Sequence, residues 1–224
     1  PAPPSQTSTG ASVIAPLAPS GVQVSQNISA KVLICAAGAS RRMAPDDKLM
    51  LPIHGQPLLR HVAKRVLSFN IPTLVALPPK PHPRWDALEG LMLTMASHSD
   101  SEEGLAGTLR AAVATLPSSV THLCVVLADL PDIHFQDFEE IFEQVKANPK
   151  AAIWRPLGPQ GQPAHPTVFH HQTFSSFAKI SGDNGAKTVI ESFGDALHEY
   201  SSISCAGSSD IDTPQDYQTY LARS

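Results

Sequence analysis

The sequence predicts an α/β protein with a doubly wound, mostly parallel sheet and helices on both sides, a Rossmann-like arrangement in three layers, α/β/α. Three observations predict it. From Lys31 onward, apolar runs of strand length alternate with stretches of helical periodicity. The runs are unbroken, as strands buried on both faces require. The chain of 224 residues, 42% of them hydrophobic, is also long enough to bury one large core. Segments of this kind pack as βα units with right-handed crossovers.

The elements follow in order. "KVLICAAG" is a continuous apolar run and reads as the first strand. "QPLLRHVAKRVLSF" places Leu59, Val62, Val66 and Phe69 on one helical stripe. "IPTLVALPP" reads as the second strand, and "GTLRAAVATLP" as a short helix with Leu109, Ala112, Val113 and Leu116 at helical spacing. "HLCVVLADLP" is the most apolar strand of all. "FQDFEEIFEQVKANP" turns Phe138, Ile141, Phe142 and Val145 inward, "AAIWRP" is a further strand, and "GAKTVIESF" and "PQDYQTYLARS" close as helices. No internal repeat is present.

Composition excludes several classes. A net charge of −4 and a pI near 6.2 leave no global positive field to recruit nucleic acid or anionic lipid. No apolar run reaches the ~18 residues of a membrane span. Cys35, Cys124 and Cys205 are far apart and odd in number, without metal-ligand spacing, which favours a reduced, cytoplasmic setting. Residues 1–30 carry no charge and are rich in Pro, Ser and Ala, as in a linker or arm, and 31–224 reads as a single domain.

In doubly wound sheets, ligands sit beyond the carboxyl ends of the strands, where strand order reverses. Two such ends are chemically loaded. In "AAGASRRM", Ala36, Ala37, Gly38 and Ser40 are small enough for backbone N–H groups to approach a phosphate as an anion nest. Arg41 and Arg42 follow, and Lys48 adds a compact charge further along. The bland alternative is a tight turn bearing solvated arginines. Neither GxGxxG nor a Walker A ending is present. In "LADLP", Asp129 ends an apolar strand, where a carboxylate needs a partner. A hard divalent cation is one partner; a turn or helix-capping role is the other reading.

The arrangement resembles the MobA-like nucleotidyltransferases. "LICAAGASRRMAPDDKLMLP" matches their leader from Leu33 to Pro52, with Ala44 where that family has glycine. "EEGLAGTLRAAVATL", "LADLP", "GQPAHPTVF", "SGDNGAK" and "DIDTPQDY" match further motifs in the family's order. Ala164 replaces a glycine and Lys187 an arginine. The Ala36-Ala37-Gly38 form of the leader is most like the molybdenum cofactor cytidylyltransferases, because the Ala37 methyl leaves less room above a base than glycine does.

That resemblance implies transfer of CMP from CTP to the phosphate of a molybdopterin-type acceptor, with release of pyrophosphate. Arg42 and Lys48 would hold the triphosphate, and Asp129 would hold Mg²⁺, with Mn²⁺ as a substitute. Gly104 and Thr108 would lie near base and sugar. Asp212, or else Asp210, would make a second metal contact, with helix capping before Pro214 as the bland role. His165 and Asp183 would face the acceptor, though His165 in a loop and Asp183 with Lys187 at a helix start have ordinary structural explanations. His170 and His171 read as a plain strand end. Partners would be the small-molecule substrates and a molybdoenzyme or its chaperone. Competing readings are a relative using another nucleotide or phosphorylated acceptor, and a non-catalytic accessory that carries the cofactor. An NAD-binding domain conflicts with the glycine spacing.

Overall fold

Residues 32–35 are apolar on both faces because both are covered. The computed structural model describes residues 28–38, 43, 45–97, 104–182, 185–204 and 206–223. Strand β1 (Ala30–Cys35) and strand β6 (His122–Leu127) lie side by side in parallel register, Val32 opposite Cys124 and Cys35 opposite Leu127. Alternate residues enter two separate cores. Val32, Ile34, Cys124 and Val126 point into one; Leu33, Cys35, Leu123 and Val125 point into the other.

Helices α1 (Leu58–Leu67), α4 (Phe135–Ala147) and α7 (Pro214–Arg223) cover the first face. Helices α3 (Leu105–Ala114), α5 (Phe174–Phe177) and α6 (Lys187–Ser192) cover the second. The three layers are as expected. The α1 stripe shows the cause: Leu58, Leu59, Val62, Ala63 and Val66 are fully buried. Each large side chain of that kind contributes roughly 1.5–3 kcal/mol by leaving water.

The remaining strands are β4 (Thr73–Leu77), β5 (Thr94–Ser97), β7 (Ile153–Leu157), β8 (Thr167–His170) and β9 (Leu197–Ser201), with a small hairpin of β2 (Pro52–Ile53) and β3 (Gln56–Pro57). Sheet order is β5-β4-β1-β6-β8-β7-β9. The chain runs outward from β1 through β4 to β5 and then returns to the other side of β1 as β6. Strand order therefore reverses between β1 and β6, and a cleft opens at their carboxyl ends.

Only β8 runs against the rest, antiparallel to both β6 and β7. Its reversal has a consequence for the site. Because β8 starts at the carboxyl end of the sheet, the loop leading into it delivers His165 to the same end as the tips of β1 and β6. The short helix α2 (Pro83–Ala87) follows β4 at that end too.

Candidate active site

The decisive contact joins residues far apart in sequence. Lys48 opens a single 3₁₀ turn, Lys48–Met50, and its Nζ donates to Asp129 Oδ2 at 2.6 Å and to Asp212 Oδ1 at 2.6 Å. All three side chains are mostly covered, 14%, 13% and 30% exposed. Burial works to strip the Lys48 ammonium of its proton. The charges and hydrogen bonds of Asp129 and Asp212 outweigh it and hold the lysine above its ordinary value.

Each arm is fixed by local structure. Asp129 lies two residues past β6, and its backbone carbonyl accepts from Ile211 N–H at 3.0 Å, which seats the C-terminal loop on the strand tip. On α1, His61 Nε2 bonds the Pro131 carbonyl at 3.0 Å and Arg65 Nη1 donates to the carbonyls of Asp132 and Ile133 at 3.2 Å each, bracing the turn that follows. Helix capping before Pro214 falls to Thr213 and Asp216. The Asp216 carboxylate accepts from Thr213 N–H at 2.7 Å and Thr213 Oγ1 at 2.7 Å, and Asp216 N–H donates to Thr213 Oγ1 at 3.2 Å. Asp212 is thus released from capping and turned toward Lys48.

Asp210 joins the group. Carboxylate oxygens of Asp129, Asp210 and Asp212 come within 4.8 Å of one another. Burial, then the negative charges of Asp129 and Asp212, pushes the Asp210 carboxyl above the usual range. Asp129 Oδ1 is buried with no hydrogen-bond partner among the described residues. An orphaned carboxylate oxygen beside two more carboxylates is a hard-oxygen donor set that fits Mg²⁺ or Mn²⁺.

The leader residues sit at the tip of β1 with Ala36 buried, Ala37 half-buried and Gly38 exposed. Ser40, Arg41, Arg42 and Asp183 lie outside the described residues. Gly104 precedes α3, and Thr108, buried in that helix, donates its hydroxyl back to the Gly104 carbonyl at 3.0 Å. The "SGDNGAK" loop abuts the start of α3 at Gly185. There φ is +54° and an added Cβ would stand 2.8 Å from Leu105 Cδ2. Lys187 makes a loose, exposed pair with Glu191 at 3.9 Å.

His165 is half-buried, its Nδ1 lies 3.3 Å from the Val125 carbonyl, and its backbone N–H donates to Gly207 O at 3.0 Å. Burial keeps its imidazole less basic than usual, against the opposing pull of the Val125 carbonyl and Asp129. Cys35, the last residue of β1, has its thiol pushed up to about 12 by burial and by the charge of Asp129. It stays a thiol.

Three features escaped the sequence reading: Arg84, Asp47 and Gly207. Arg84 and Asp47 are an ion pair that ties parts of the leader together, and "HPRW", a few residues after a strand, was the available signal. At Gly207, an added Cβ would lie 1.7 Å from the His165 carbonyl oxygen, so the C-terminal loop docks there backbone to backbone. A lone glycine in "CAGSSD" gives no local hint of that approach.

Residues 32–199 match the MobA-like NTP transferase domain. The chain belongs to that family. Its fold is Rossmann-like, as in the solved structures it superposes with. Over 125 residues it is 31% identical to a probable molybdenum cofactor guanylyltransferase of Natronomonas pharaonis. That match spans 55% of this chain and 60% of the relative's length. Among solved structures, Rv0371c of Mycobacterium tuberculosis superposes with a TM-score of 0.70 at 22% identity, covering 88% of this chain and 99% of that one. A manganese complex of Rv0371c aligns with a TM-score of 0.66 at the same 22% identity, over 88% of this chain and 100% of that one. A nucleotidyl transferase from Methanothermobacter gives 0.70 at 17% identity, over 87% of this chain and 97% of that one. Among the described residues, no helix is long and apolar enough to cross a membrane.

Proposed function

We propose that this nucleotidyltransferase moves CMP from CTP onto the phosphate of a molybdopterin-type acceptor in the cytoplasm. The observation that carries the reading is the meeting of Lys48 with Asp129 and Asp212 at the reversal point between β1 and β6. A cation and an ammonium can there share one triphosphate. An acceptor phosphate oxygen attacks the α-phosphorus, the bond to the β-phosphate bridging oxygen breaks, and pyrophosphate leaves. The acceptor phosphate is already ionised near neutral pH, so no side chain need remove a proton, and catalysis reduces to positioning and charge neutralisation.

Asp129, Asp210 and Asp212 would hold Mg²⁺ or Mn²⁺, which when bound neutralises phosphate charge. Lys48 orients the triphosphate from the leader side, together with Arg41, Arg42, Ser40 and the backbone of Ala36, Ala37 and Gly38. Gly104 and Thr108 belong to the segment assigned to base and sugar. His165 and Asp183 are assigned to the acceptor side, and a molybdoenzyme or its chaperone would take the product.

The Ala37 methyl supports a pyrimidine. A second reading, transfer of GMP, is supported by the guanylyltransferase relative. Divalent-dependent pyrophosphate release, measured with each of the four nucleotides with and without molybdopterin, separates them. Cytidylyl transfer predicts release with CTP and molybdopterin together. Release with GTP alone among the nucleotides would replace the base assignment, and no release with any of them would overturn the catalytic reading.

A further inference from the structure

Arg84 is the second residue of α2, only 2% exposed. A permanent charge in that position requires partners on most of its donors. Its Nε and Nη2 grip the two Asp47 oxygens at 2.8 and 2.7 Å, fork on fork. Its Nη1 donates to the carbonyls of Ala36 at 2.7 Å and Gly38 at 2.8 Å. Asp47 in turn accepts from Leu49 N–H at 3.1 Å and caps the 3₁₀ turn that starts at Lys48. Burial alone would raise the Asp47 carboxyl, but the bonds and charge of Arg84 prevail and hold it below the usual range.

One planar group therefore ties both sides of the leader together: the carbonyls at the tip of β1 and the turn that presents Lys48. The carbonyl and N–H of a trans peptide unit point in opposite directions. A carbonyl of Ala36 drawn to Arg84 turns the N–H of Ala37 away from that guanidinium. Backbone donors and the Lys48 ammonium are thereby set in one register.

We infer that Arg84 is a positioning residue for nucleotidyl transfer: without touching the nucleotide, it locks the leader carbonyls and the Asp47-capped turn so that backbone N–H groups and Lys48 converge on one triphosphate. The inference rests on the nucleotidyl-transfer reading above. Lysine at this position keeps the charge but loses the fork: three donors on one nitrogen cannot reproduce the bidentate grip on Asp47 together with both carbonyl bonds.

The test compares wild type with Arg84→Lys, Asp47→Asn and the double variant. It uses pyrophosphate release for kcat and KM, Mn²⁺ affinity of the nucleotide-free protein by electron paramagnetic resonance, and thermal melting. Arg84→Lys should lose about 100-fold in kcat/KM, mostly in kcat, as for a misplacement of about 1 Å. Its Mn²⁺ affinity should stay within about twofold, because the carboxylates sit on the tip of β6 and the C-terminal loop. Asp47→Asn should repeat that pattern, and the double variant should be no worse than the worse single, since both act through one contact. If Arg84→Lys does not fold, Asp47→Asn carries the same comparison. Folded variants with kcat within about threefold of wild type and only a lower melting temperature would overturn the inference and leave the transfer reading standing. Parallel loss of Mn²⁺ affinity and kcat would overturn it as general damage. A wild type that releases no pyrophosphate from any nucleotide would overturn both.

Discussion

Strand β6 carries a titratable cluster at each end, and the two are built on opposite principles. Beyond its carboxyl end, Asp129 meets Lys48 at 2.6 Å, with Asp210 and Asp212 alongside, and the carboxylates hold the Lys48 ammonium charged. At its amino end, His122 packs against His170 at 5.1 Å and Trp154 at 5.6 Å, and His170 against His171 at 4.2 Å. Burial, and then the neighbouring histidines, brings His122 down from 6.5 to about 4. The rings meet tilted or edge to face, and no carboxylate is among them. What sets the carboxyl end apart is that unlike charges meet there, with the Asp129 Oδ1 oxygen left over as an acceptor. The amino end is packing. His170 ends β8 and His171 opens the 3₁₀ turn that follows it.

Breaking the charged end should have the largest effect. Asp129→Asn keeps the shape of the side chain and removes its charge, and Lys48→Ala removes the ammonium. Each should cost on the order of 10²–10³ in kcat/KM for pyrophosphate release, the usual scale for one lost phosphate-stabilising group. Circular dichroism and melting should show a folded protein. Turnover within tenfold of wild type in both would erase the difference between the two ends.

Breaking the neutral end should act on stability alone. A histidine whose folded pKa is depressed leaves the unfolded chain binding more protons between the two values. Stability therefore rises with pH from about 4 to 6.5 and is level above that. Urea unfolding across this window should show a gain of up to roughly 2–3 kcal/mol in wild type. His122→Gln should reduce the slope, leaving the share of the other histidines that burial makes less basic, such as His61 and His165, while turnover at pH 7.5 stays within twofold. An unchanged slope would mean that the ring is not held neutral.

A smaller loss is expected at the seam between β8 and the C-terminal loop. Gly207→Ala drives a methyl into the His165 carbonyl, and overpacking of this kind costs about 1–3 kcal/mol. The melting temperature should fall and turnover with it, since the same loop carries Asp210 and Asp212. Unaltered melting would show that the loop yields freely. The smallest effect separates the ends by acid window. Asp47 has a lowered folded pKa, so its contribution is present above 3.8 and is lost as pH falls through the lower folded value. Asp47→Asn should blunt the loss of stability below pH 3.8 and leave the slope between 4 and 6.5, which belongs to histidines, unchanged. A changed slope in the upper window would assign it wrongly.

Legibility followed burial. β1 and β6 lie between two helical layers, so their apolar runs are unbroken and stood out in the sequence. β5 and β9 are edge strands with no fully buried residue, and neither "TMAS" nor "LHEYS" has a run to notice. The reversal of β8 leaves no local trace, because direction is set by what lies on either side. Asp129 and Lys48, 81 residues apart, could be paired only by reasoning about strand ends together with the family resemblance. Arg84 was invisible for a different reason: its Asp47 fork spans 37 residues and joins two loops, where periodicity carries no information. Asp212 was named with capping as the rival role, and the Thr213–Asp216 box takes that role while Asp212 pairs with Lys48.

The central claim is that Lys48 and the acidic tip of β6 serve one triphosphate. The most direct measurement is a crystal structure with Mn²⁺ and a non-hydrolysable CTP analogue, using anomalous scattering to locate the ion. The account predicts one ion on Asp129 and Asp212 that also touches a phosphate oxygen, with Lys48 Nζ within 3.5 Å of the same triphosphate. An ion elsewhere, or a triphosphate bound out of reach of Lys48, would contradict it.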